Sequence, residues 1–324
     1  MNLDTQNRRV MLTGGAGFIG SKLCEALAKD NTLLIYDNLR RNSIKDTNLL
    51  SEHSITLVQG DMLDLVYLKK VVEDFSPDIV IHLAAIAGVD TVINNPVETM
   101  KVNMLGTYNI LEAVKDHADD ISRFIDFSTS EIFGSHAYRV DEQCNAKIGP
   151  AGESRWTYSV SKLAGEHLTH SYYKQYGLKA VTVRPFNIYG PGQVGEGAIH
   201  KFILKAIRNE EIQIHGDGEQ IRSWCYIDDF IEAIRLCISC DSAIGNALNI
   251  GNPKATITIE MLAKLIKLVA NSNSNIIYVP KAYVDVELRV PSIDKARKVL
   301  GFDPKIDLVS GLNKTIEWYR SLEK

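Results

Sequence analysis

Apolar residues in the first half of the chain fall into short unbroken runs. Longer stretches lie between them, in which apolar positions recur every three or four residues. The runs at 9–13, 32–36, 55–59, 79–82, 124–127 and 180–183 are rich in Val, Ile and Leu and do not alternate with polar residues. Such runs are the pattern of strands covered on both faces, and therefore of a parallel sheet. The stretches 18–28, 65–75, 97–114 and 158–176 have helical spacing. Strand and helix alternate, which predicts an α/β fold with a doubly wound parallel sheet of Rossmann type over residues 1–184.

After Arg184-Pro185 the rhythm changes. Glycines at 190, 192, 195 and 197 mark loops, and the units become shorter: helices at 198–208, 228–239, 261–269 and 308–319, strands at 212–214 and 221–226. This predicts a smaller C-terminal lobe, residues 185–324, closing over the sheet, with 225–251 returning to the first domain. There is no internal repeat and no low-complexity segment.

Composition narrows the function classes. The 324 residues are 45% hydrophobic and 23% charged, with a net charge of −4. Arg40-Arg41 is too short to form the basic face that nucleic acid requires. No apolar run reaches membrane-span length, and the opening MNLDTQNRRV has no apolar core of a secretory signal. A cytoplasmic protein without nucleic-acid or membrane partners is expected. Five scattered cysteines argue against a disulfide framework. Cys237-Ile-Ser-Cys240 has CxxC spacing but no second pair and no ligand-spaced His, so buried thiols and no metal are expected. His167 and His170 read as partly exposed helix residues.

The first strand runs into Thr13-Gly-Gly-Ala-Gly-Phe-Ile-Gly20. Gly14, Gly17 and Gly20, with Phe18 and Ile19 between the last two, lie between a strand and a helix. There glycines permit a tight turn and let backbone approach a pyrophosphate at a helix N-terminus. The second strand ends in Tyr36-Asp37-Asn38. Asp37 can accept both ribose hydroxyls and would repel a 2′-phosphate, which favours NAD over NADP; Arg40 and Arg41 are the opposing signal. Asp61 and Met62 end the third strand, where an adenine would lie. Tyr158 and Lys162 sit one helical turn apart on one face. A free phenol ionises near pH 10, too high for a base at neutral pH. A neighbouring ammonium and an oxidised nicotinamide are expected to lower it, so that Tyr158 can take a proton from a sugar hydroxyl.

The set TGGAGFIG, YDN, GDM, HLAA (82–85), STSE, YSVSK, RPFNIYGPGQ (184–193) and RVPSIDKAR (289–297) resembles the extended short-chain dehydrogenase/reductase family. More narrowly, it resembles its nucleotide-sugar epimerases, dehydratases and decarboxylases, over essentially the whole chain. The resemblance implies a tightly held NAD that also contacts Ala84 and Ala85, a nucleoside-diphosphate sugar between the lobes, and a homodimer formed through helices near 97–116 and 157–176. It implies that Thr129 hydrogen-bonds the sugar 4-hydroxyl, that Tyr158 is the base and that Lys162 is its partner on the nicotinamide ribose. It places Ser130 and Asn187 at the substrate and Arg222 and Arg289 on its diphosphate, with 210–215 against the base. The family's RDFIYVDD reads here Arg222-Ser-Trp-Cys-Tyr-Ile-Asp-Asp229, which leaves Trp224 without an assigned contact.

Glu131 selects among the reactions. A pure 4-epimerase needs no extra acid or base after oxidising carbon 4. A 4,6-dehydratase and a uronate decarboxylase both act at carbons 5 and 6, where a carboxylate is useful. The common dehydratase motif is Thr-Asp-Glu; Thr129-Ser130-Glu131 lacks that Asp. Thr-Ser-Glu resembles the UDP-glucuronate decarboxylases and a minority of dehydratases, and Arg155-Trp156 before the Tyr also resembles a decarboxylase domain that acts on UDP-glucuronate. The sequence therefore predicts oxidation at carbon 4 followed by decarboxylation. Dehydration, then 4-epimerisation, stand as alternatives, and a non-catalytic NAD-binding protein as the reading from another class.

Overall fold

The structure, a computed structural model, describes residues 5–45, 47–52, 54–281 and 284–323, so the first four residues of the N-terminal stretch lie outside it. Seven parallel strands form the main sheet, in the spatial order Ala247–Ile250, Ala180–Pro185, Arg123–Phe127, Ile79–His82, Arg9–Thr13, Thr32–Asp37 and Ile55–Gln59. Chain order reverses on either side of Arg9–Thr13, which pairs with Thr32–Asp37 on one edge and Ile79–His82 on the other. A cleft opens at such a switch point, outside the carboxyl ends of the strands. The seventh strand, Ala247–Ile250, was not expected as a strand; it is only four residues long and is fixed by pairing with Ala180–Pro185.

The helices form where their spacing demands. Leu65–Phe75 buries Leu68, Val71, Val72 and Phe75, one stripe at i, i+3, i+4 and i+7. Asp64 starts it by accepting the Tyr67 N–H at 3.0 Å, and Ser76 ends it in a left-handed conformation. Helices Pro96–Val114 and Thr157–Tyr176 lie together on the same side of the sheet.

The second lobe contains a four-stranded sheet ordered Thr256–Thr258, Ile221–Ser223, Leu288–Pro291, His136–Val140. The strand His136–Val140 comes from the first half of the chain. The expected single strand 221–226 is two: Ile221–Ser223 belongs to this sheet, whereas Cys225–Tyr226 pairs with Ile188–Tyr189. The break falls at Trp224, whose N–H binds the Ala255 carbonyl at 3.0 Å and whose ring meets Tyr189 edge-on.

Asn249 ties the lobes together. Its Nδ2 donates to the Val140 carbonyl at 3.0 Å, and its backbone N–H donates to Glu142 Oε1 at 2.7 Å. The side chain is fully buried, so Asn249→Ala leaves the Val140 carbonyl without this donor. A loss of about 2 kcal/mol in urea unfolding is expected.

Candidate active site

Two cavities meet at the carboxyl ends of the main sheet, sharing Ile188 and Gln193 in their walls. The first, about 490 Å³, has in its walls Gly14, Gly17, Phe18, Ile19, Gly20, Asp37, Asn38, Asp61, Met62, Ala84 and Ala85. Gly14 has φ +70°, and a Cβ there would lie 2.6 Å from the Ala84 nitrogen. A Cβ on Gly20 would lie 2.6 Å from the Gly15 backbone, so the helix packs against the turn only with glycine at this place. Gly17 differs: a Cβ would meet nothing closer than 3.4 Å, and the residue starts helix Phe18–Leu27 with no side-chain cap. Uncapped first-turn N–H groups facing a cleft whose wall approaches this closely fit a dinucleotide pyrophosphate.

Asp37 is held on the cleft wall by the Ala16 N–H at 3.0 Å and the Leu39 N–H at 2.7 Å. Burial raises its carboxyl, while those two amides oppose the rise. Arg41 is committed elsewhere: Nη2 donates to the Ala87 carbonyl at 2.8 Å and stands 3.8 Å from Glu196. Glu196 accepts from the Asp90 and Thr91 N–H groups at 2.8 and 3.1 Å and from the Thr91 hydroxyl at 2.5 Å. These contacts fasten the loop carrying Gln193 and Val194 to the opposite rim of the cleft. Glu196→Ala is expected to speed NAD release about tenfold, the equivalent of about 1.4 kcal/mol, read by stopped-flow fluorescence, with the Asp37 contacts intact.

Thr129, Tyr158 and Lys162 line the inner end of the same cleft. Thr129 caps the short turn Ser130–Phe133, its hydroxyl accepting the Glu131 N–H at 3.1 Å, and it also hydrogen-bonds the Tyr158 phenol. The expected lowering of the phenol by its surroundings is not what the protein chain produces. Burial pushes Tyr158 up and the Glu131 charge adds to it; the Thr129 hydrogen bond and the charges of Arg155 and Arg289 pull the other way. Lys162 is lowered by burial, against the opposing charges of Asp126 and Glu166.

The second cavity, about 530 Å³, is walled by Glu131, Arg155, Asn187, Arg222, Trp224, Asp285 and Arg289 among others, and by Glu211, Gln213 and His215 of the 210–215 stretch. Glu131 and Arg155 form a two-pronged pair at 2.5 and 3.0 Å, with Arg289 3.6 Å from the same carboxylate. Asp285 stands 3.8 Å from Arg155 and 3.5 Å from Arg222. Arg222 and Arg289 are register partners on adjacent parallel strands. Burial raises the Glu131 carboxyl, but Arg155, then Arg289 and Arg222, outweigh it and hold it below its usual range. Three buried guanidiniums and the carboxylates of Glu131 and Asp285 thus line one pocket, a lining whose chemistry suits an anionic ligand. Asn187 spends its Nδ2 on the Ser223 carbonyl at 2.9 Å. Ser130 is buried and lines neither cavity. Arg155, noted in the sequence without a role, and Asp285, which no motif marked, are both part of the charge cluster.

Among the described residues no group of His, Cys, Asp or Glu is placed to hold a metal ion, and no helix is long and apolar enough to cross a membrane. Cys237 is buried and Cys240 half-buried.

Known proteins show the family. Over residues 10–251 the chain matches the model of the NAD dependent epimerase/dehydratase family. It is 32% identical to a UDP-N-acetyl-alpha-D-glucosaminuronate decarboxylase of Bacillus cytotoxicus, over 98% of this chain and 99% of that protein. It is 31% identical to UDP-glucuronic acid decarboxylase 1 of Xenopus tropicalis, over 98% of this chain and 73% of the relative. Its fold superposes on UDP-glucuronic acid 4-epimerase from Bacillus cereus, solved with UDP-glucuronic acid and NAD, with a TM-score of 0.87, 29% identity, and coverage of 97% and 99% of the two chains. With its glycine cradle, its Tyr158–Lys162 pair and a match across most of its length, the chain belongs to the NAD dependent epimerase/dehydratase family of extended short-chain dehydrogenase/reductases.

Proposed function

We propose that this enzyme oxidises carbon 4 of a nucleoside-diphosphate uronic acid and then removes carbon 6 as carbon dioxide, as a UDP-glucuronate-type decarboxylase does. The observation that carries this reading is the Glu131–Arg155–Arg289 cluster beside Thr129 and Tyr158. The glycine turn, Asp37 and Lys162 would hold NAD, which would supply the hydride acceptor for carbon 4 and the hydride that reduces the ketone again.

The chain's own residues supply the rest. Thr129 and Tyr158 meet the 4-hydroxyl, and Tyr158 removes its proton; Lys162 supports the phenolate electrostatically. Arg155, Arg222 and Arg289 suit three anionic groups, the two phosphates and the uronate carboxylate. A carbon-4 ketone makes the uronate a β-keto acid. The bond from carbon 5 to carbon 6 breaks, its electron pair passes to the ketone oxygen, and carbon 5 then takes a proton. Glu131, held ionised by its arginines, orients the water that gives that proton.

Dehydration is disfavoured because Ser130 stands where the dehydratase motif carries its Asp, and a serine hydroxyl does not supply that acid. Epimerisation is the second reading, supported by the superposition on a uronate 4-epimerase. A silent NAD-binding protein is disfavoured by Thr129, Tyr158 and Lys162 converging on one cleft. The proposal includes a cytoplasmic location and a homodimer. The exposed Val97, Leu105 and Tyr108 on one long helix and Val160 on the other support the dimer.

Mass spectrometry after incubation with UDP-glucuronate, UDP-N-acetylglucosaminuronate, UDP-glucose and UDP-GlcNAc tests the reading. Loss of carbon dioxide from a uronate is expected; loss of water from a neutral sugar, or an unchanged mass with inversion at carbon 4, refutes it. Tyr158→Phe should lower turnover at least about a hundredfold. Glu131→Gln should spare carbon-4 oxidation and slow carbon dioxide release; release at the wild-type rate would make Glu131 structural.

A further inference from the structure

A polar row crosses the face of the main sheet beneath the two long helices. Thr13, His82, Asp126 and Thr182 are successive register partners on four adjacent parallel strands. In-register neighbours of a parallel sheet share one face. All four are buried. His82 is bonded to Thr13 at 2.7 Å and to Thr107 at 3.0 Å, and burial, then the charge of Lys162, drives it down to about 3, so it is neutral.

Asp126 faces helix Thr157–Tyr176, where Lys162, Glu166 and Thr169 lie on the stripe turned toward it. Of the two acids beneath Lys162, Glu166 is already occupied: Arg184, on the neighbouring strand, holds both of its oxygens at 2.5 to 3.2 Å. Asp126 is not. No hydrogen bond of ordinary geometry reaches either of its oxygens; the Thr169 hydroxyl beside it only partly offsets the burial of a fully enclosed side chain. A carboxylate so thinly bonded in a core costs stability, and burial raises Asp126 to about 6 against the charge of Lys162. Lys162 itself is buried and looks into the cofactor cleft on its other side.

We propose that Asp126 is a positioning residue, the buried counter-charge that keeps the Lys162 ammonium protonated behind the catalytic phenol. The charged groups around it are Lys162 and Glu166 from the helix and Arg184, neutralised by Glu166, from the adjacent strand; His82 on the other side carries no charge. Asp126 therefore acts on Lys162 through space, leaving the ammonium free to serve the cleft. The role matters for catalysis only if Lys162 supports Tyr158 as described above, but the charge coupling can be measured without substrate or NAD.

The test is NMR titration of the ligand-free protein labelled with 13Cε-lysine, the Lys162 signal being assigned by its loss in Lys162→Met. In the wild type the signal should show a secondary inflection where Asp126 ionises, near pH 6. In Asp126→Asn the proton affinity of Lys162 should fall about tenfold or more, one unit in its midpoint. Glu166→Gln should move it less, because that carboxylate already serves Arg184. The alkaline limb of kcat in Asp126→Asn should shift to lower pH by the same factor as the NMR midpoint, with KM for the sugar nucleotide unchanged. An unaltered Lys162 midpoint in folded Asp126→Asn overturns the proposal, as does a larger shift in Glu166→Gln. If Asp126→Asn does not fold, the wild-type titration decides, and absence of the inflection overturns it. A coupling seen by NMR with no change in the kcat profile would instead count against Lys162 as the partner of the base.

Discussion

In the proposed reaction the phenol of Tyr158 gives up a proton in a place where burial and the nearby Glu131 both resist the loss. The surrounding site is arranged against that resistance. Thr129 hydrogen-bonds the phenol, and Arg155 and Arg289 offset Glu131 by standing on the carboxylate itself. The arginines thereby serve both cavities at once. They hold the Glu131 carboxyl below its usual range, and in the proposed reaction this keeps it ionised for chemistry at carbon 5 while limiting how far its charge opposes ionisation of the phenol.

The fold assembles these groups from distant segments. Thr129 and Glu131 follow a central strand, Arg155 precedes the helix of Tyr158 and Lys162, and Arg222 and Arg289 meet only because their strands pair in the second lobe. Two arginines side by side on neighbouring strands repel each other. That repulsion is tolerable where Asp285 and Glu131 stand close and an anionic ligand can enter. Asn249 and the Glu196 contacts join the lobes around this charge.

Much of the cofactor side was legible in the sequence, because its constraints are local. A glycine turn between a strand and a helix, an Asp at a strand end, and a Tyr and Lys one turn apart are each set by neighbours in the chain. The charge cluster was only half legible. Arg222 and Arg289 could be named from motifs, but Asp285 has no local signature and Arg155 shows its role only beside Glu131. The strand 136–140 and the division at Trp224 depend on pairing between remote segments, which periodicity does not report. Nothing in the run 124–127 sets Asp126 apart; only the helix packed above it brings it near Lys162, its proposed partner. Arg41, weighed in the sequence as a phosphate ligand, turns instead to Ala87 and Glu196 across the rim.

The most direct test of the account is a single-turnover experiment with UDP-glucuronate deuterated at carbon 4, followed by reduced-nicotinamide absorbance. The account predicts a transient rise that is slowed by deuterium and decays as product forms. Product formed with no transient and no isotope effect would contradict it, since carbon 4 would then not be oxidised on the way.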